Sequence, residues 1–168
     1  VSKYHHKLTK EAAIYVASHL RPDDYREITE GHGVNPLLAA VRPVDEDNIY
    51  FTVPNGETAG MAGVGTDGQI WMLCTPAIDE YPVTFAREAK KYIDSRTEPL
   101  LWNIVDKRNT VHCKLLRWLG FDFLREIKHG PNNLTFIEFS RGISSTTGRS
   151  IIRSRSDAVV WPASTSSS

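Results

Sequence analysis

Cysteine is nearly missing from this chain. Cys74 and Cys113 are its only two, which excludes a disulfide framework and leaves no Cys/His spacing of a zinc motif. Both read as buried free thiols of a reducing compartment. Net charge is missing as well: 20 Lys and Arg balance 20 Asp and Glu. A neutral chain has no long-range pull toward nucleic acid or an anionic membrane surface. No apolar run reaches membrane-spanning length, and the opening VSKYHHKLTK has no apolar core of a signal peptide. There is no internal repeat, and His5–His6 reads as a solvated terminus.

Hydrophobic residues make up 40% and charged residues 24%, the balance of a globular domain with a core. Composition shifts near residue 142. Residues 1–141 read as one domain. Residues 142–168 form an arm rich in Ser and Thr, with Arg149, Arg153 and Arg155 and the apolar islets Ile151-Ile152 and Val159-Val160-Trp161-Pro162. A free segment of that kind is disordered. Trp161, with Val159, Val160, Ile151 and Ile152 as helpers, is the expected anchor on a partner, and the three arginines are expected to set register.

The stretch around which the domain is organised is Leu100–Phe123. Leu100–Val105 is short and apolar, as a buried strand is. Asp106-Lys107-Arg108-Asn109 follows, with Asn109 a good helix N-cap. Val111, Leu115, Trp118 and Leu119 then recur near helical spacing, Gly120 stops the helix, and Phe121 begins the next strand. Upstream, Lys10–Leu20 reads as a helix capped by Thr9, with Ile14, Ala17 and Leu20 as its stripe. Arg21-Pro22-Asp23-Asp24 restarts a short helix through Ile28, the acids suiting its positive end. Leu37–Val41 reads as a further turn. Ile49–Val53, Thr58–Val64 and Gln69–Cys74 read as a meander joined by turns at Asn55-Gly56 and Asp67-Gly68. Pro82–Asp94 is an amphipathic helix, with Phe85, Ala86, Ala89 and Ile93 inward and Arg87, Glu88, Lys90 and Lys91 outward. Phe121–Ile127 and Leu134–Phe139 make a last hairpin. The fold class is α+β: a mixed, mainly antiparallel sheet flanked by helices. Trp71, Leu73, Phe85, Ile93, Ile104, Leu115, Leu119 and Phe121 are expected in the core.

Asn109, His112, Leu115, Leu116, Trp118, Gly120 and Phe121 stand at the spacing Asn-x-x-Ala-x-x-Leu-Tyr-x-Lys-x-Gly-Phe. That spacing resembles the last segment of the GNAT acyltransferase fold, and the element order matches it from about Tyr15 to Arg141. The resemblance implies acetyl-coenzyme A as cofactor, with Leu73, Cys74 and Asn109 at the positions that would hold it. Two departures weigh against the chemistry. Leu116 stands where the family has the tyrosine that protonates the departing thiolate, and leucine has no proton to give. The loop Thr75–Pro82, where the family cradles the diphosphate, has no glycine and no cation, and carries two prolines and two carboxylates. No cofactor, no catalytic residue and no metal ligand set are therefore expected. Asp45-Glu46-Asp47 and Asp79-Glu80 read as solvated acids. Neighbouring His112 and Cys113 diverge on a helix, and His112 meets Cys74 only through the fold.

LRPDDYREI, GVG…IWMLCT and WNIVDKRNTVHCKLLRWLGFDF with a closing FIEF resemble the small GNAT-like internal virion proteins of short-tailed bacteriophages. That resemblance implies a non-enzymatic virion protein of the internal core or portal–tail region, made in the host cytoplasm. Its partners would be portal, adaptor, tail or internal core proteins, with no membrane segment and no specific nucleic acid. The alternative is a phage N-acetyltransferase using acetyl-coenzyme A on a host or phage protein. A third reading is an inhibitor of a host protein that binds through the basic edge Lys107, Arg108, Lys114 and Arg117.

Overall fold

The computed structural model describes residues 2–142 and Trp161. The strands are β1 His5–Lys7, β2 Ile49–Thr52, β3 Thr58–Val64, β4 Ile70–Cys74, β5 Leu100–Asp106, β6 Asp122–His129 and β7 Leu134–Gly142. The helices are α1 Lys10–Ser18, α2 Pro22–Arg26, α3 Pro36–Val41, α4 Ala77–Glu80, α5 Pro82–Asp94 and α6 Thr110–Trp118. A π turn, Glu27–Gly31, continues α2.

The strands form two antiparallel sheets, ordered β1-β2-β3-β4 and β5-β7-β6. Among the described residues a single parallel bridge, Gln69 to Trp102, joins them. Alternation along β4 divides the core, because successive side chains point to opposite faces. Ile70, Met72 and Cys74 pack toward α5 and α6, with Phe85, Ile93, Leu115, Leu119 and Phe139. Trp71 and Leu73 pack toward α1 and α3, with Ala13, Val16, Ile28 and Ala40. All eight residues expected in the core are buried.

Several local readings change. The first residues are not a solvated terminus: β1 pairs with β2, His6 opposite Tyr50. The stripe of α1 is Ala12, Ala13 and Val16, while Ile14 is 41% exposed. Val111 and Trp118 face outward on α6, Trp118 at 58%. Glu88 does not face water; it is buried beside Ser2 and His5 and pairs with Lys91 at 2.8 Å. The loop Thr75–Pro82 contains α4. Gly120 does end α6 at φ +89°, a left-handed conformation that favours glycine.

Candidate functional site

β4 and β5 start side by side and then part. At the narrow end Trp102 N donates to Gly68 O at 3.1 Å. Gly68 sits at φ +87°, and a Cβ there would lie 2.1 Å from Leu100 O, so only glycine lets the sheets approach. Asn103 then spans the gap. Its Nδ2 donates to Ile70 O at 2.7 Å, and its Oδ1 accepts from Gln69 Nε2 at 3.1 Å. Beyond it the two strands share no ladder, and their inner amides need other partners.

α2 and the π turn lie across the wide end and supply them. Asp24 Oδ2 accepts from Cys74 N, the last residue of β4, at 2.7 Å. Glu27 Oε1 accepts from Asp106 N, the last residue of β5, at 2.8 Å. Carboxylates three positions apart share one helical face, so one turn of chain bridges both strands. Asp24 Oδ1 also accepts from Arg21 Nη1 at 3.1 Å and from Asn109 Nδ2 at 2.9 Å. Asn109 is therefore turned inward: its Nδ2 donates to Asp24, and its side chain makes no cap on α6.

Between the two ends runs a cavity of about 100 Å³, with Trp71, Asn103, Leu115 and Phe139 in its walls and Glu27 and His112 at the wide end. Its lining is largely apolar. Glu27 is the titratable group that stands out. Burial first, and then the charge of Asp24, push its carboxyl up to about 8, against the pull of the Asp106 amide. Burial lowers His112, with Asp24 opposing, and raises the Cys74 thiol. Glu27 was not among the residues singled out from sequence. A π turn, a frequent mark of functional positions, is invisible in composition.

The positions carried over for coenzyme A are all engaged by the protein. Leu73 is paired with Met61 across β3 and β4, the Cys74 amide serves Asp24, and Asn109 serves Asp24. In the loop Thr75–Pro82 the first-turn amides of α4 fold back on Thr75 and Pro76, and Pro82 opens α5 without an amide. Arg21, which reaches Asp79 of this loop, is held between Asp24 and Asp79. These residues make no cradle for a diphosphate.

His112 and Cys74, which the sequence sets far apart, do meet: they converge with Asp24 at the wide end. Trp161, the expected partner anchor, is instead 5% exposed within its own domain, edge-on to Trp71 at 5.8 Å and tilted over His32 at 5.5 Å. The remaining expected anchors, Arg149, Ile151, Ile152, Arg153, Arg155, Val159 and Val160, lie outside the described residues. The basic edge is partly spent: Arg108 holds Asp106 at 2.8 Å and Glu30 at 3.2 Å, and Lys107 holds Glu126 at 2.8 Å. No described helix is long and apolar enough to cross a membrane.

No protein-family model matches the chain, and no curated protein does. Solved structures do. A GNAT superfamily phosphinothricin acetyltransferase from Sinorhizobium meliloti, in complex with acetyl-coenzyme A, is 11% identical with a TM-score of 0.60, over 87% of this chain and 91% of that one. An aminoglycoside acetyltransferase in complex with ribostamycin and coenzyme A is 14% identical with a TM-score of 0.58, over 83% and 93%. A GNAT family acetyltransferase from Bacillus anthracis is 9% identical with a TM-score of 0.57, over 82% and 93%. The expectation that this is not an enzyme is corrected here: the structures just named are acetyltransferases. The resemblance to phage internal virion proteins rests on sequence motifs alone. The chain has the GNAT fold, two antiparallel sheets flanked by helices and parted between β4 and β5.

Proposed function

We propose that this protein is an N-acetyltransferase that works in the cleft between β4 and β5, with acetyl-coenzyme A as the acetyl donor. The observation that carries the reading is Glu27, a buried carboxyl held by the Asp106 amide in the wall of an apolar cleft, where burial pushes its pKa up to about 8. Transfer to an amine requires that the amine lose a proton, and a general base works best with a pKa near the operating pH. Glu27 is held by the Asp106 amide on one oxygen, which fixes its orientation. As it ionises, it becomes able to take a proton from an acceptor amine entering the wide end; when the amide bond forms and the thioester C–S bond breaks, that proton is available to the departing thiolate, which Leu116 cannot protonate. The apolar walls exclude water around that exchange.

Coenzyme A supplies the activated acetyl thioester. Because the loop Thr75–Pro82 offers no diphosphate cradle, the nucleotide half adds little to affinity here. Acetyl-pantetheine and acetyl-coenzyme A are therefore expected to bind with similar dissociation constants.

The test is thiol release from acetyl-coenzyme A with a panel of amines, comparing wild type with Glu27→Gln. A rate that rises with pH through about 8 and falls at least ~100-fold in the variant is the expected result. No turnover above the variant's background across the panel overturns the proposal.

A further inference from the structure

The acetyl-transfer reading leaves a group of buried side chains at the wide end without a role. Asp24 comes from α2, Cys74 from the end of β4 and His112 from the first turn of α6. A carboxylate oxygen, the thiol sulfur and an imidazole nitrogen of these residues all lie within 4.8 Å of one another. All three residues are buried, Cys74 fully and His112 at 6% exposure.

The polar atoms around this point are left unpaired in a pattern. His112 Nε2 has no hydrogen-bond partner, although it lies 3.4 Å from Asp24 Oδ1. Asn109 Oδ1 and Arg21 Nε, on the two residues that flank Asp24, are unpaired too. They are three of the seven buried unpaired side-chain atoms found among the described residues. Each orphan costs free energy that a native interior rarely leaves uncompensated. Three around one carboxylate indicate something that the protein chain alone does not supply.

We propose that Asp24, Cys74 and His112 form a zinc(II) site whose fourth position holds a buried water. One oxygen, one nitrogen and one sulfur suit a borderline-soft ion, whereas magnesium and calcium call for oxygen throughout. Three protein ligands plus water is an ordinary zinc set. Zinc bonds of about 2.0–2.3 Å in a tetrahedron put ligand atoms roughly 3.3–3.8 Å apart. The His112–Asp24 separation is already in that range, and the widest pair needs to close by about 1 Å.

The surroundings are those of a metal-ligating carboxylate, which is itself hydrogen-bonded from behind. Asp24 is braced by the Cys74 amide, by Asn109 and by Arg21. A water in the fourth position would give Arg21 Nε an acceptor and Asn109 Oδ1 a donor. The Arg21 guanidinium opposes a dication at this distance. Asp23 and Asp79, at 3.9 and 3.8 Å on its other sides, offset that charge. The site needs no substrate or acetyl donor, so its test is separate from that of the acetyl-transfer reading; a dication on Asp24 would offset the charge that helps raise Glu27.

The experiment begins with the folded wild-type protein, freed of metal by chelation and titrated with cobalt(II). Expected are visible bands of tetrahedral intensity and a near-ultraviolet thiolate band that saturate at one equivalent, and their displacement by one equivalent of zinc. Cys74→Ser is expected to lose the thiolate band. His112→Gln is expected to weaken zinc by at least ~100-fold in an indicator competition, more than a hydrogen-bonded outer residue costs. Cys113→Ser keeps wild-type behaviour. If the wild-type protein gives no tetrahedral cobalt spectrum, the proposal fails, whatever the variants do. It also fails if Cys74→Ser and His112→Gln hold zinc as tightly as the wild type.

Discussion

The two ends of the cleft solve one problem with different chemistry. At the narrow end, neutral amides of Gln69 and Asn103 join the sheets. At the wide end, the carboxylates of Asp24 and Glu27 cap the strands. An amide replaces a missing ladder bond at any pH and carries no charge into the core. A carboxylate does the same with a stronger acceptor, but its buried charge must be balanced or given up. Asp24 is balanced by Arg21 at 3.1 Å. Glu27 has no such cation beside it, and burial pushes its carboxyl up to about 8. The narrow end is thus a fixed joint, and the wide end responds to protons.

The largest effect is expected from breaking the balanced half of the wide end. Asp24→Ala takes from buried Arg21 its 3.1 Å partner, leaving the longer contacts to Asp23 and Asp79, and leaves the Cys74 amide without an acceptor. Such losses cost about 3–5 kcal/mol, read as a shift in the urea midpoint. A cost under ~1 kcal/mol would show that water replaces the carboxylate freely and that the wide end is open.

Next comes the proton response itself. Glu27 is raised in the folded state from an ordinary 4.5 to about 8. Between those values the folded protein holds a proton that the unfolded chain has released. Its contribution is fully present below about pH 4.5 and is lost as pH rises through about 8. Stability from this group therefore falls across the window, by at most ~1.4 kcal/mol per pH unit. Glu27→Gln should flatten that slope in denaturation curves taken from pH 5 to 9. An unchanged slope would assign the response to another group.

The narrow end provides the contrast. Asn103→Ala removes the bridge to Ile70 and Gln69 and leaves a buried carbonyl unpaired, at about 1–3 kcal/mol. That cost should be the same at pH 5 and pH 9; a pH-dependent cost would collapse the distinction between the ends. The smallest effect belongs to Trp118, 58% exposed on α6. Trp118→Ala is expected to stay within about 0.5 kcal/mol, although its spacing alone places it in the core.

That last residue marks how far the sequence can be read. Strand β3, helix α5 and the stop at Gly120 follow from periodicity and from residues with singular backbone preferences, so they are legible from a few neighbours. Trp118 fails because helical spacing gives a face but not its neighbours, and α6 meets solvent where an apolar stripe continues. β1 is short and polar, and its pairing with β2 is set by residues more than forty positions away. The wide end is harder still. Asp24 and Asn109 meet across 85 positions, and Glu27 and Asp106 across 79. Locally, Asp23 and Asp24 look like acids favouring a helix start, and Asn109 looks like a cap. Each local role was available and outbid by a buried partner. Asp24 and Glu27 stand three positions apart, a spacing that names no partner until the chain is folded.

Trp161 has an optical consequence. Its indole lies edge-on to Trp71 and tilted over the His32 ring, whose basicity burial and His129 lower to about 3. An indole shielded from water emits toward the blue, and close contact with a second indole lets the two exchange excitation. Trp118 on the surface emits toward the red. The intrinsic fluorescence of the unlabelled protein therefore carries a signal of whether the ring is seated. A red shift without loss of helical circular dichroism reports its departure while the rest of the domain stays folded.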